Sequence, residues 1–134
     1  MPFVQVHTAA PVAPAVRRAL GSGLARLYGE CMQTSHRIVN VGFAEYADGA
    51  LARYDDSGDA PRAMTIVTCD VRTGRPPDTL ERLGSAITEL CSRELGVEEA
   101  RVAVYITEHA AHHIYRDGGR APDWSAEEAG SRDR

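Results

Sequence analysis

The run Met64-Thr65-Ile66-Val67-Thr68-Cys69-Asp70-Val71-Arg72-Thr73-Gly74-Arg75-Pro76-Pro77-Asp78 holds a strand, a turn and a helix start in one sweep. β-Branched residues dominate from Thr65 to Val71, which suits a strand. Thr73 to Pro77 breaks it, and Asp78 followed three residues later by Glu81 forms a capping-box-like helix start. Leu80, Leu83, Ile87, Leu90, Cys91 and Leu95 then recur at helical spacing up to Gly96. Arg101 to Thr107 is a further strand, with Val102, Val104 and Ile106 on one face and Ala103 and Tyr105 on the other.

The same order stands upstream. Phe3, Val4 and Val6 read as a strand, Pro14 suits a first helical position, and Val16, Leu20, Leu24, Leu27, Tyr28 and Cys31 make a helical stripe. Ile38, Val39, Val41 and Phe43 mark another strand running to about Tyr46. The polar, Gly- and Asp-rich stretch 47–62 joins the two halves and holds a short strand near Ala50–Tyr54. The chain therefore reads as two tandem β-α-β units. Each unit makes a right-handed parallel pair, so the expected architecture is α+β from α/β-type units: a four-stranded sheet with two helices on one face. The uncovered face calls for a second copy of the chain. Residues 1–124 are expected as one domain. From Ser125 to Arg134 the chain is polar and is expected to be a flexible tail, with Trp124 docking somewhere before it.

Composition narrows the function. A chain of 134 residues with 43% hydrophobic and 25% charged residues builds one ordinary core. A formal net charge of −4 gives no reason to expect nucleic acid or an anionic membrane as partner. No apolar run approaches a membrane span and no leader stands at the start, so the expected location is cytoplasmic. The three cysteines, Cys31, Cys69 and Cys91, have no C-x-x-C spacing and read as small buried hydrophobes. All 15 basic residues are arginine. With no lysine, any amine chemistry falls to the chain terminus.

That terminus is Met1-Pro2. Methionine is readily removed before proline, so the mature chain is expected to begin at Pro2 with a secondary amine. An amine held at a strand start and partly desolvated loses basicity from an ordinary value of about 7.7–8.0, which makes a base poised near neutral pH. Arg72 and Arg75 sit where a strand ends and a helix begins, the place where open α/β sheets bind ligands. If the two units run opposed, Pro2 meets these arginines in one pocket that would take a carboxylate. If not, the arginines are solvated turn residues.

The pieces together resemble the tautomerase superfamily, and within it the branch of cis-3-chloroacrylic acid dehalogenase. They are Pro2, Val39-Asn40-Val41-Gly42-Phe43, Arg72-Thr73-Gly74-Arg75, and Val102-Ala103-Val104-Tyr105 followed by Glu108. The likeness runs in order and spacing from about residue 2 to 124. It implies a homotrimer, no metal or organic cofactor, and a small carboxylic acid as substrate. It also implies Pro2 as catalytic acid or base, Arg72 and Arg75 as carboxylate binders and Tyr105 as a pocket tyrosine. Two positions depart from the branch. Tyr28 stands in place of a histidine late in the first helix, as a substrate-side residue. Arg116-Asp117 stands in place of a water-activating glutamate, with Asp117 a shorter substitute.

The expected activity is keto–enol tautomerisation, or hydration of an unsaturated or 2-oxo acid. Hydrolytic dehalogenation and a non-catalytic trimeric binding protein are the alternatives. His109, His112 and His113 have helical metal-ligand spacing but no third strong partner, so no metal is expected. No G-x-G-x-x-G, P-loop or G-x-S-x-G motif is present.

Overall fold

Strand β1 (Phe3–Thr8) lies at the centre of the molecule, parallel to β2 (Asn40–Glu45) on one side and antiparallel to β5 (Thr65–Arg72) on the other. Parallel β6 (Val102–His109) then flanks β5, giving the sheet order β2-β1-β5-β6. The computed structural model describes residues 2–131. The two β-α-β units are thus opposed, each contributing a parallel pair, with the antiparallel seam between them. Helices α1 (Pro14–Met32) and α2 (Pro77–Leu95) cover one face of the sheet.

Alternation along the strands decides which face is covered. Val4 and Val6 of β1, and Val67, Cys69 and Val71 of β5, point into the helices together with Leu20, Leu24 and Tyr28 of α1 and Leu83, Ile87 and Cys91 of α2. Each fully buried aliphatic side chain contributes roughly 1.5–3 kcal/mol, so this layer carries most of the fold's hydrophobic stabilisation. The helices approach closely because Gly23 has no side chain: a Cβ there would lie 3.1 Å from the Leu90 side chain. The opposite face keeps Phe3 and Tyr105 at 39% and 60% exposure, with no layer over them among the described residues.

Both helices begin at a proline, Pro14 and Pro77, whose fixed φ fits the first helical position. Asp78 therefore is not the cap. Pro76 holds that place without a side-chain bond, and Asp78 sits in the first turn, where its charge suits the helix dipole. Gly96 closes α2 in the left-handed conformation at φ 66°, as its position led one to expect. The second strand starts later than its apolar residues suggest, because His36–Ile38 form a 3-10 turn before Asn40. Within 47–62 the strand near Ala52 is real but short: β3 (Ala52–Arg53) pairs with β4 (Arg62–Ala63).

After β6 the chain makes a tight hairpin, β7 (Tyr115–Arg116) with β8 (Gly119–Arg120). Its loop residues Asp117 and Gly118 have φ of 51° and 81°, the pattern that Asp-Gly favours in two-residue hairpins. Ala126–Ser131, in the stretch expected as a flexible tail, forms a 3-10 segment.

Candidate active site

The opposed seam brings the start of β1 to the end of β5. Phe3 pairs with Asp70, so Pro2 falls beside Val71 and Arg72. Pro2 is buried, and its carbonyl accepts a bond from the Asn40 backbone N–H at 3.0 Å. Met1, whose removal would free the Pro2 amine, lies outside the described residues.

Arg72 is only 5% exposed, and both of its terminal nitrogens are engaged. Its Nη1 donates to the Pro122 carbonyl at 2.7 Å, and its Nη2 donates to both carboxylate oxygens of Glu128 at 2.7 and 2.8 Å. Thr34 Oγ1 donates to the same carboxylate at 2.8 Å. A guanidinium taken out of water needs such a partner, because an unpaired buried charge is far more costly than a paired one.

Arg75 behaves differently. Its Nε and Nη1 donate to the Met32 and Arg72 carbonyls at 3.3 and 3.1 Å, and its guanidinium lies 4.8 Å from the centre of the Trp124 ring. Burial pulls its pKa below the ordinary arginine value, a shift that nearby Tyr28 opposes and Arg72 reinforces. Arg75 thus ties the end of α1, the end of β5 and the later chain together. Arg72 presents the charge.

Tyr28 is 2% exposed. Burial raises its phenol well above the ordinary tyrosine value, with Arg75 and Arg72 pulling the other way. The structure therefore brings together Pro2, Arg72, Arg75 and Tyr28 at one end of the sheet. It does not bring Tyr105 or Asp117 to them within one chain. Tyr105 lies on the open face of β6, two strands from β1. Asp117 is 72% exposed in its hairpin, 3.6 Å from Arg116 Nη1.

The residues missed by sequence reasoning are Thr34, Pro122 and Glu128. Trp124, an aromatic residue in a polar tail, was their one signal. His109, by contrast, leaves its histidine neighbours and bonds Asp70 at 2.7 Å across the strand ends, while His112 and His113 pack edge-on at 4.2 Å. Among the described residues no three His, Cys, Asp or Glu side chains are grouped to hold a metal.

Cavities lie at both ends of the sheet. Beside Arg75 a space of about 180 Å³ is bounded by Gln33, Asp78, Arg82 and Trp124. A larger one of about 490 Å³ lies at the far end, against Thr8, Ala10, Met64 and Leu95. Neither space is lined by Pro2, Arg72 or Tyr28, so volume alone does not mark the chemistry. The smaller one reaches the buried cluster through Arg75 alone.

The Tautomerase enzyme family model matches residues 66–122, from β5 through the β7–β8 hairpin. Comparison of the sequence with curated proteins finds no match. The fold is similar to that of N1, a member of the cis-3-chloroacrylic acid dehalogenase family, with a TM-score of 0.83 and 24% identity over 94% of this chain and 87% of that one. It is also similar to a fused 4-OT symmetric trimer, with a TM-score of 0.75 and 24% identity over 96% and 98% of the two chains. A third likeness is to FG41 malonate semialdehyde decarboxylase inhibited by 3-bromopropiolate, with a TM-score of 0.71 and 20% identity over 96% and 95%. The chain thus has the tautomerase fold and resembles that superfamily, with the cis-3-chloroacrylic acid dehalogenase branch among its structural neighbours.

Proposed function

We propose that the protein is a tautomerase-type enzyme that uses the Pro2 amine as general base and acid on a small carboxylate-bearing substrate. The reading is supported by one observation: the antiparallel seam brings the start of β1 to the end of β5, where Arg72 already grips a carboxylate. A neighbouring fixed guanidinium and burial both disfavour the ammonium form of Pro2, leaving a neutral amine near pH 7. The amine takes the proton from an enol hydroxyl, or from the carbon beside a 2-oxo group. Arg72 holds the carboxylate and the charge that develops next to it. Return of the same proton to carbon completes a tautomerisation. In a hydration the amine takes a proton from water as its oxygen adds to one unsaturated carbon, then delivers that proton to the other, and ends neutral.

Self-association belongs to this reading. The open sheet face exposes Phe3 and Tyr105, and a homotrimer would cover it. Tyr105 would then serve the site of a neighbouring copy. Similarity to a fused 4-OT symmetric trimer supports that arrangement. Among the described residues no helix is long and apolar enough to cross a membrane, and we place the enzyme in the cytoplasm.

Hydrolytic dehalogenation is the second reading, favoured by the likeness to the cis-3-chloroacrylic acid dehalogenase family. Against it stand the buried Tyr28 and the turn-bound Asp117, neither of which is arranged to activate water.

The test is a screen of enol, 2-oxo and acetylenic acids against the wild-type chain and Pro2→Ala, with chloride release from cis-3-chloroacrylate measured alongside. Because the chain has no lysine, a 3-halopropiolate should label one amine, and mass spectrometry should place the adduct on Pro2. Full activity in Pro2→Ala would remove the mechanism. Carboxylate binding without turnover by either protein would leave a non-catalytic trimeric binding protein. Rapid chloride release would favour the second reading.

A further inference from the structure

The segment after β8 is strapped over Arg72 and Arg75 by four separate contacts. The Pro122 carbonyl accepts from Arg72. Trp124 lies over the Arg75 guanidinium and beside Gly74, whose φ of 120° keeps that turn free of a side chain. Trp124 Nε1 donates to the Gln33 carbonyl at 3.4 Å. Glu128 places its carboxylate on Arg72 and Thr34. The strap begins at Ala121, which is 2% exposed and whose N–H donates to the Ile114 carbonyl at 2.8 Å.

We propose that Glu128 is a built-in occupant of the carboxylate site, and that a small monocarboxylate enters by displacing it and lifting the strap from Trp124 onward. The inference rests on the reading of Arg72 as the substrate's carboxylate binder and adds how that site is held when no substrate is present. Its physical basis is charge balance. Arg72 is buried in a place where an unpaired guanidinium would be costly. Exchange of Glu128 for a substrate carboxylate keeps the guanidinium paired throughout, so the swap is nearly neutral in charge terms. Glu128 is the more accessible partner, 24% exposed against 5% for Arg72, and it rides on a 3-10 segment, the weaker kind of helix. The strap side is therefore the side that yields. A substrate's affinity is lowered by the fraction of time the strap is closed.

The strap carries its own reporter, since Trp124 is the only tryptophan. Propionate, which has no enolic or unsaturated centre, is titrated into the full-length protein, with emission and calorimetry followed together. Sodium chloride of matched ionic strength serves as control. Propionate is expected to bind and to red-shift Trp124 emission, and chloride is not. Glu128→Gln should bind propionate about tenfold more tightly and start from a red-shifted emission. Thr34→Val, which removes one of the contacts to the same carboxylate, should move both readings the same way by less.

Propionate binding with unmoved Trp124 emission overturns the strap. So does equal affinity in wild type and Glu128→Gln, or no binding by either. Binding by Glu128→Gln alone supports a tightly closed strap. The enzyme reading is judged apart from this. If Pro2→Ala keeps full turnover while propionate still lifts the strap, the proline mechanism falls and the strap stands.

Discussion

Two arginines three residues apart do different work. Arg72 offers Nη2 to both oxygens of a carboxylate and Nη1 to one carbonyl, whereas Arg75 spends Nε and Nη1 on backbone carbonyls and lays its plane on Trp124. Arg72→Ala should therefore weaken binding of a carboxylate substrate by about 1.5–3 kcal/mol, the range for hydrogen bonds to charged groups, seen as a rise in KM. Arg75→Ala should instead lower the melting temperature first, because it leaves two buried carbonyls without their donor. Equal effects of the two variants on KM, with unchanged stability, would refute this division. From sequence the two positions looked alike, since both come after the same strand. Their difference depends on Met32 and Trp124, which are 43 and 49 positions from Arg75 and carry no local signal. The thiols are a simpler case. Burial pushes Cys69 and Cys91 up to about 12, so both should resist alkylation at pH 8 in the folded protein, with Cys31 reacting first. Rapid modification of Cys69 would contradict the packing described.

At the level of elements, periodicity carried the reading wherever an element was long and faced the core. The stripes of α1 and α2 and the alternation of β1, β5 and β6 are visible in residue spacing, because each has one dry face. The short elements escaped it. The β3–β4 pair has two residues a side, too few for alternation to show. The β7–β8 hairpin did have a signal, Asp117-Gly118, but resemblance drew attention to Asp117 as a carboxylate instead of as a turn former. The two roles can be separated. Asn tolerates the same left-handed backbone as Asp, so Asp117→Asn should leave both stability and turnover within about 0.5 kcal/mol of wild type. A large loss of turnover with unchanged stability would give Asp117 a chemical part, supplied through a neighbouring copy. Asp78 teaches a related lesson: Pro76 and Pro77 fix the helix entry geometrically, so the side-chain cap suggested by Asp78 and Glu81 is not needed.

For the molecule as a whole, buried neutral acids set the alkaline limit. Tyr28, Cys69 and Cys91 all have folded-state values raised by burial, above the ordinary 10.0 for the phenol and 9.0 for the thiols. A raised value means that the unfolded chain releases its proton first. The stability these groups contribute is complete below about pH 9 and is lost as pH rises toward 12. Chemical denaturation at about pH 7 and about pH 10.5 should show a lower midpoint at the higher pH, reduced further by any breakup of the assembly. A flat profile would mean that these side chains reach water. Assembly is tested directly by sedimentation at micromolar concentration, where a trimer is expected and a stable monomer would remove the subunit arrangement proposed above. The opposed seam has one more consequence. It makes the molecule nearly the same when turned end for end: Met64 precedes β5 as Pro2 precedes β1, and a cavity lies against Met64 at that far end. Duplicating a frame does not duplicate a chain terminus, however. Met64 is joined by amides on both sides, so its nitrogen has no basic lone pair to offer, and Thr8 ends β1 with Pro11 three residues on, where Arg72 ends β5 with Arg75 three residues on. Whatever such a fold gains by repeating itself, it can hold at most one terminal amine per chain, so the far end of the sheet has no counterpart to the amine proposed at Pro2.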